Sequence, residues 1–534
     1  MFGLKFGSNE RGKMNMKIDS MKISNFRGYA GNTEIKFNDL TVFVGKNDIG
    51  KSTVLEALDI FFNEGKGVVK LDKSDVNVEN RRNENQETCI SVIFKDLPDE
   101  IVIDSNVPTT LKDEFLLNAE KKLEVIKKYN NGGSPKVFIK AMHPSNSNCK
   151  NLLLKKNADL KKIVQQKQIV CENQSVNSLL RKAIWEHYSE DLSLQETEID
   201  ASKEDAKKIW DKLSNYMPVY SLFQSDRKNS DGDSEVQDPL KEAVKEILND
   251  ASLKGDLNNI AEKVNHKLQN VASRTLKKLK EIDSEIARNL NPVIPAVNAL
   301  KWADVFKAVS IAGDEDIPIN KRGSGVKRLV LLSFFRAEAE RRLSEQGGNG
   351  IIYAIEEPET SQHTENQKKL IEAFKSLSQA NNVQVLLTTH SAFIVKHLDF
   401  TDIRLITQGD GSNQRVIKDV LPSQLKYPSL NEVNFIAFNE ATEEYHDELY
   451  GFIDFQGWRE EYKRGKHCRP YKQIGRNGEI RETKKILTEY IRHQIHHPEN
   501  THNDKYTEKE LLCSINMMRE FISGKQAEEN VNPE

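Results

Sequence analysis

The segment Thr41 to Ala57, TVFVGKNDIGKSTVLEA, contains the residue types that hold a nucleotide phosphate. Its spacing is G-x-x-x-x-G-K-S, in which the glycines let backbone N–H groups surround a phosphate at the positive end of the following helix. Lys51 is expected to reach the β- and γ-phosphates, and the Ser52 hydroxyl to bind Mg²⁺. The residues expected to bind the nucleotide are Gly45, Lys46, Asn47, Gly50, Lys51, Ser52 and Thr53.

The flanking sequence places this motif between a strand and a helix. Apolar or β-branched residues run up to Gly45, and a helical pattern begins at Ser52 and continues to Phe62. A chance glycine-rich turn is the alternative, and this context argues against it. Upstream, Met16 to Phe37 alternates apolar and polar residues around N-F-R-G, which predicts a hairpin leading into the strand Leu40–Val44. Another strand is predicted over Thr88 to Phe94.

A second chemical element is IIYAIEEPE, a hydrophobic strand that ends in two carboxylates. Glu356 is the expected Mg²⁺ ligand, and Glu357 the general base that orients the attacking water. Further on, VLLTTHSAF brings His390 to the end of a buried strand, where an imidazole can hydrogen-bond a γ-phosphate. Paired acids or a histidine at a strand end are often structural, but the phosphate loop upstream favours the functional interpretation.

A third element is the G-S-G turn of KRGSGVKRL, which opens a predicted helix. Gly323, Ser324 and Gly325 are expected to form an anion site with their amides and hydroxyl. Since the phosphate loop already binds the phosphates of its own nucleotide, this second anion site suggests contact with ATP held by another subunit.

The order of these motifs resembles the ABC-type ATPases of the SMC, RecF and OLD-like group, over roughly residues 16–100 and 300–405. N-F-R-G-Y and E-E-P-E-T-S-Q-H resemble the subgroup found in bacterial anti-phage and abortive-infection systems. The resemblance implies ATP and Mg²⁺ as cofactors, and a homo-oligomer whose heads sandwich two nucleotides. The chain departs from the usual pattern in having R-G-S-G-V-K for L-S-G-G-Q and Glu356 for aspartate, and no Q-loop glutamine is assigned.

The length of 534 residues exceeds one ordinary core. The expected fold class is an α/β ABC-type ATPase head with an inserted helical arm or lid, followed by a mainly α-helical C-terminal domain. Apolar residues recur at helical spacing from Leu257 to Val271, and an ordinary amphipathic subdomain is the alternative to an arm. The predicted parts are an N-terminal head lobe (1–105), the insertion (106–300), a C-terminal head lobe (301–405) and an effector or docking domain (406–534).

The C-terminal part carries a second candidate catalytic site. On a predicted helix ended by Pro498, Arg492 and His497 can border one groove. An imidazole can move protons at a 2′-OH while a guanidinium holds the phosphate charge. The pattern resembles HEPN ribonucleases, which are helical and act as dimers. Two alternatives stay open, a non-catalytic docking domain and a transition-metal site made from His493, His496, His497 and His502.

Composition bounds the remaining classes. Lys and Arg total 78 and Asp and Glu 81, so the net charge of -3 gives no indication of nucleic-acid binding. The five cysteines form no C-x-x-C pair, and no run approaches a membrane span or a signal-peptide core. We therefore expect a cytoplasmic protein with no membrane partner.

These patterns and resemblances predict an ATP-hydrolysing switch that controls a C-terminal HEPN-like ribonuclease in anti-phage defence. Its target is expected to be RNA, tRNA included, or DNA. A regulatory ATPase that docks a separately encoded nuclease or toxin is the first alternative, and a RecF-like DNA-repair ATPase is the second. A TOPRIM nuclease is not expected because residues 406–534 contain no D-x-D, and the missing L-S-G-G-Q disfavours a transporter subunit.

Overall fold

The computed structural model of this chain describes residues 16–64, 67–98, 101–104, 107–224, 350–360, 363–409, 414–475 and 479–531, with part of 253–266. By compactness the chain forms two units, one of 1–225, 339–360 and 364–534, the other of 226–338 and 361–363. In the second unit, residues 255–264 are helical. Within the described ranges, no helix is both long and apolar enough to cross a membrane.

Most strands of the first unit lie in two six-stranded sheets. One sheet is antiparallel, with the order β2-β1-β4-β7-β8-β9. Its strands are β1 (Lys17–Ser24), β2 (Thr33–Lys36), β4 (Glu87–Lys95), β7 (Leu123–Asn130), β8 (Lys136–Pro144) and β9 (Leu194–Asp200). A short separate hairpin is made by β5 (Ile101–Asp104) and β6 (Val107–Thr109).

The other sheet has the order β10-β11-β12-β3-β13-β14 and is parallel except for its last strand. Its strands are β3 (Leu40–Val44), β10 (Val219–Phe223), β11 (Ile351–Glu356), β12 (Val383–Thr389), β13 (Ile403–Gln408) and β14 (Arg415–Asp419). Every residue of β3, β11 and β12 is buried, as expected for parallel strands covered on both faces. The carboxyl ends of the parallel strands meet at one edge, where ligands bind in open α/β sheets.

The helices of this α/β part are α1 (Lys51–Asn63), α2 (Val78–Arg82), α3 (Asn157–Gln166), α4 (Asn177–His187), α5 (Glu204–Leu213), α6 (Thr364–Ser378) and α7 (Ala392–Val395). Helix α1 is central, because one hydrophobic core joins it to strands of both sheets. Phe62 stacks on Tyr220 of β10 with ring centroids 5.5 Å apart, and it also meets the edge of Phe94 of β4 at 6.1 Å. The phosphate-loop helix is therefore fixed by both sheets.

The hairpin, the strand Leu40–Val44 and the strand over Thr88–Phe94 are confirmed within a residue or two at their ends. The prediction of a helical insertion (106–300) is wrong in part, because residues 123–223 include four strands as well as helices. Lys and Glu hide these strands from a periodicity search because they pair across the sheet surface, as Lys128 does with Glu198 at 2.6 Å. The helical pattern from Leu257 onward is confirmed only as far as 264, and the rest lies outside the described residues.

The C-terminal region is mainly helical, as predicted, but it also contains a hairpin. Its helices are α8 (Leu430–Phe438), α9 (Glu443–Phe455), α10 (Arg459–Lys463), α11 (Leu487–His496) and α12 (Glu508–Val531). Strands β15 (Cys468–Ile474) and β16 (Ile480–Ile486) pair antiparallel between α10 and α11. The core lies between α9, α11 and α12, and includes Leu449, Ile453, Ile491, Ile515 and Met518.

Candidate functional site

The phosphate loop connects β3 to α1 and depends on its glycines. A Cβ on Gly45 would lie 2.7 Å from the carbonyl oxygen of Ile406 in β13, so a side chain there would displace the backbone. Gly50 has a φ of +100°, a conformation that L side chains rarely adopt. No side chain caps the N-terminus of α1. Its first N–H groups therefore remain available for a phosphate.

Lys51 lies inside the loop that it follows. Its ammonium donates to the carbonyl oxygens of Gly45 at 3.0 Å and Lys46 at 2.9 Å. The residue is only 4% exposed, and burial lowers the pKa of its ammonium, while the carboxylates of Glu357 and Glu359 oppose that shift. The Glu357 carboxylate is 3.7 Å from the ammonium. The predicted phosphate-binding lysine and the predicted base are thus neighbours.

The N-F-R-G-Y segment supports the phosphate loop and α1. The Tyr29 hydroxyl donates to the carbonyl oxygen of Gly50 at 3.1 Å, and its ring is fully buried. Arg27 forms ion pairs with Glu56 of α1 and with Asp75, the latter at 2.8 Å. The sequence indicated a turn and a family resemblance for this segment, whereas the structure shows that it holds the phosphate loop in place.

The two adjacent carboxylates lie at the carboxyl end of β11. Glu356, the last residue of the strand, is 9% exposed and lies opposite Thr388 of β12. Glu357 has a φ of +39°, which is unusual for a residue with a side chain. Its N–H donates to the Thr388 carbonyl at 3.1 Å, and Thr360 donates to its carbonyl from both N–H and hydroxyl. Backbone bonds to Thr388 and from Thr360 thus hold this strained turn.

His390 follows β12 and contacts the acidic turn. Its Nδ1 is 3.1 Å from Glu357 and 3.5 Å from Glu359. Glu359 is 4% exposed and connects the turn after β11 to the turn after β12. Its Oε1 accepts from the Thr389 hydroxyl at 2.7 Å and from the backbone N–H of His390 at 2.9 Å. A buried carboxylate thus fixes the backbone on which His390 stands.

The structure brings Lys51, Glu357 and His390 together. Glu356 lies next to Glu357, at the carboxyl end of β11. Sequence reasoning missed Glu359, although E-E-P-E contains it, because a carboxylate two residues after the pair gives no spacing signal of its own. Gln224, which follows β10 beside the Glu356 strand, donates to Glu56 at 3.1 Å. The predicted anion site of Gly323, Ser324 and Gly325 lies outside the described residues.

The predicted C-terminal site is arranged differently from the sequence expectation. Arg492 and His496 both contact the Asp447 Oδ1 atom, at 3.0 Å and 2.8 Å. His497 instead hydrogen-bonds Glu499 at 3.1 Å. Burial alone would raise the pKa of the Asp447 carboxyl, but the bonds from His496 and Arg492 outweigh it and lower that pKa. The structure therefore groups Arg492 with His496 rather than with His497.

The metal alternative for this helix finds no support. Within the described part of the chain, no three His, Cys, Asp or Glu side chains are grouped as metal ligands. His493 stacks on His497 with ring centroids 6.2 Å apart. Aromatic contacts and carboxylate pairing explain the cluster of histidines.

A phosphate loop between a buried parallel strand and a helix, with acids and a histidine at the next strand ends, defines a P-loop nucleotide-binding protein. The chain belongs to the AAA ATPase domain family, whose model matches residues 16–395. This range includes the phosphate loop, both carboxylates and His390, and it confirms the predicted ATPase class. No curated protein matches the chain.

Among solved structures, the chain is similar to SMC head domains. It is 11% identical to the SMC head domain from Thermotoga maritima, covering 76% of this chain and 99% of that one, with a TM-score of 0.32. An SmcHead bound to the C-winged helix domain of ScpA is 14% identical, with 75% and 97% covered and a TM-score of 0.36. An Smc head domain with an extended coiled coil, bound to the C-terminal domain of ScpA derived from Pyrococcus furiosus, is 14% identical, with 76% and 96% covered and a TM-score of 0.34. These values are too low to identify the chain with SMC proteins.

Glu359 is expected to position His390, which gives the first prediction. Glu359→Ala should lower the ATPase kcat about 10²-fold, because the backbone after β12 loses both anchoring bonds. Glu359→Gln keeps the acceptor oxygen and should recover much of the rate. Recovery should be partial, since its amide nitrogen would replace Oε2, which has no hydrogen-bond partner among the described residues.

The measurement is steady-state ATP hydrolysis, with the melting temperature as a check on folding. Glu365→Ala, at an exposed position of α6, is the matched control and should leave kcat unchanged. Equal loss of activity in the Ala and Gln variants would rule out the positioning role.

Proposed function

We propose that this chain binds ATP with Mg²⁺ at the edge of the parallel sheet and hydrolyses it. The observation that carries the proposal is the convergence of Lys51, Glu357 and His390. The Glu357 carboxylate is 3.7 Å from the Lys51 ammonium and 3.1 Å from Nδ1 of His390. The loop amides and Lys51 would hold the phosphates. Glu357 would accept a proton from the attacking water, and His390 would donate a hydrogen bond to the γ-phosphate.

The residues present fit a magnesium ion. Mg²⁺ in nucleotide sites is held by one or two protein oxygens together with substrate phosphates and waters, so a cluster of protein ligands is not needed. Ser52 supplies a hydroxyl at the start of α1, and Glu356 supplies a carboxylate at the end of β11. When bound, the ion would neutralise charge that develops on the phosphates.

Two substitutions test hydrolysis. Glu357→Gln should lower kcat about 10²- to 10⁴-fold while ATP still binds, because only the base is lost. Lys51→Ala should abolish ATP binding, because the loop loses its phosphate-binding cation. Hydrolysis is followed by phosphate release and binding by isothermal titration calorimetry, with Glu365→Ala as control. Turnover by Glu357→Gln at the wild-type rate would refute the assignment of the base.

We also propose that ATP joins two heads into an ABC-type dimer, with the G-S-G turn of one protomer facing the nucleotide of the other. The order of motifs supports this, since a second anion site comes after the phosphate loop in the chain. The same Glu357→Gln variant, which retains ATP, is the sample in which light scattering should detect the dimer. A monomer with bound ATP would contradict the proposal.

The ATP site is proposed to control the C-terminal region through α7. This helix begins two residues after His390 and packs against α8. The Asn434 amide donates to the carbonyl oxygen of Ala392 at 3.0 Å, and Lys396 pairs with Glu444. Movement of His390 with the nucleotide state would therefore reach α8 and α9 directly.

Removal of one contact should weaken the coupling between the two parts. In a Glu357→Gln background, ATP is expected to change amide hydrogen exchange in Leu430–Phe438, and Asn434→Ala should reduce that change while ATP still binds. Asn431→Ala is the matched control, because Asn431 lies on the same helix but bonds to Glu448 within the C-terminal region. An ATP-dependent change of undiminished size in Asn434→Ala would exclude this route.

We propose that the controlled activity is a HEPN-like, metal-independent ribonuclease in anti-phage defence. Support for the chemistry is the R-H-Q-I-H-H sequence of α11, and support for defence is the resemblance alone. Arg492 would hold the phosphate and His497 would move the proton. The contacts of His496 with Asp447 make it the competing proton carrier.

Cleavage of bacterial RNA in EDTA, with and without ATP and Mg²⁺ in parallel, tests this activity. Arg492→Ala and His497→Ala should each lower cleavage at least about 10²-fold, with His496→Ala as the matched histidine control. A loss confined to His496→Ala would move the role to that residue. Absence of cleavage by the wild type, with ATP still hydrolysed, would instead favour a regulatory ATPase with a separately encoded effector.

A RecF-like DNA-repair ATPase remains the alternative from another class. It requires that DNA stimulate ATP hydrolysis, which the assays above measure directly when duplex DNA is added. No stimulation at low salt would count against it.

A further inference from the structure

The strongest concentration of positive charge in the described chain lies around the β15–β16 hairpin. Across residues 463–475 and 479–486 there are eight lysines and arginines against two glutamates, in a chain whose net charge is -3. Lys472 and Lys484 are exposed, and neither has an ion-pair partner in the part of the chain that is described. The whole-chain charge conceals this local surface.

Strand register places Lys472 and Lys484 on one open face of the hairpin. Pro470 pairs with Lys484 and Lys472 pairs with Glu482, so the two lysines are diagonal neighbours on one face. Glu482 is the carboxylate between them. The opposite face carries Tyr471, which is buried against Tyr490 of α11 with ring centroids 5.5 Å apart. The lysine face is therefore free of the helical core.

A cavity of about 450 Å³ lies at the base of the hairpin. Its lining includes the basic residues Lys466, His467 and Arg469 and the apolar residues Leu487 and Met517. Arg469, which pairs with Glu510 at 2.6 Å, lies opposite Lys485 on the Tyr471 face of the hairpin. Lys484 pairs with the next residue, Pro470, so the cavity and the lysine face adjoin at the base of the hairpin. Its size is that of a small-ligand site, and its lining pairs cations with an apolar wall.

We propose that the hairpin and this cavity form a binding surface for a single-stranded nucleic acid. The lysines would contact successive phosphates, and the cavity would hold one nucleotide, with its phosphate toward the cations and its base against Leu487 and Met517. Two isoleucines at the hairpin tip, Ile474 and Ile480, are 39% and 52% exposed and could also suit a membrane. The concave basic cavity favours nucleic acid, because a flat bilayer would leave it unfilled.

The surface extends the proposal that nucleic acid is the target of the C-terminal region, but it needs no cleavage and no ATP. The test therefore uses the full-length chain without nucleotide or Mg²⁺, and fluorescence anisotropy with short single-stranded RNA and DNA of one sequence. Because DNA lacks the 2′-OH that the ribonuclease needs, its binding reports on the surface even if the ribonuclease proposal fails.

Lys472→Glu with Lys484→Glu removes two phosphate contacts. Each phosphate contact on a single strand contributes about 0.7 to the slope of log K against log salt, so the slope should become less steep by about 1.4. The loss of affinity relative to the wild type should therefore be about 25-fold larger at 0.1 M than at 1 M salt. The matched control is Lys167→Glu with Lys207→Glu, which makes the same charge change at exposed positions of another part of the unit. Both double variants should hydrolyse ATP at the wild-type rate, which shows that they are folded.

A second readout needs no substitution. Cys513 lines the cavity and is an exposed free thiol, so bound nucleic acid should slow its alkylation by N-ethylmaleimide, with the partly exposed Cys171 as internal reference.

Any one of three results would overturn the proposal. They are no binding of either strand by the wild type at low salt, equal binding by the two double variants, and binding to phosphatidylserine vesicles in place of nucleic acid.

Discussion

The burial of α1 between two sheets is the constraint on which the rest of the structure depends. Eight of its thirteen residues are buried, among them Lys51 at the first position and Phe61 near the end. Tyr29 fixes its start through a hydrogen bond to the Gly50 carbonyl. The carbonyl of Ile406 packs against the loop and leaves room only for glycine at position 45. A helix held this firmly presents its N-terminal amides at a fixed place. The parallel strands then bring Glu356, Glu357 and His390 to the same edge of the sheet.

The burial has an electrostatic consequence for the site. A lysine at 4% exposure has lost most of its hydration, so its charge must be stabilised by the loop carbonyls and by the acids of the next strand end. Glu357 therefore has two neighbours of opposite character, the ammonium on one side and the imidazole of His390 on the other. Glu359 does not touch the lysine loop but keeps His390 within reach of that carboxylate.

Elements specified by residues close together in the sequence could be predicted, whereas elements that depend on distant partners could not. The phosphate loop, its strand and its helix were predicted closely, because glycine spacing and one continuous apolar run specify them without distant partners. The strands β7 to β9 were not predicted, because their surface Lys and Glu residues give them the composition of a helix. Only pairing across the sheet identifies them as strands. The β15–β16 hairpin was missed for the same reason. Arg492 and His497 were assigned by spacing, but the choice of Asp447 as a partner comes from α9, which a local pattern cannot foresee.

The contacts between α7 and the C-terminal helices limit how strongly ATP could control them. The Asn434 bond contributes about 0.5–1.5 kcal/mol. The ion pair of Lys396 with Glu444 is partly exposed, at 31% and 64% for the two side chains, and such pairs contribute about 0.2–1 kcal/mol. Together they allow a coupling of about 1–2 kcal/mol, or roughly 5- to 30-fold. A complete switch needs about 10⁴-fold, so one head alone would only bias its C-terminal region. If two heads closed together on ATP, the two biases would multiply to about 25- to 900-fold, so a dimer would bring these weak contacts closer to a complete switch without reaching it.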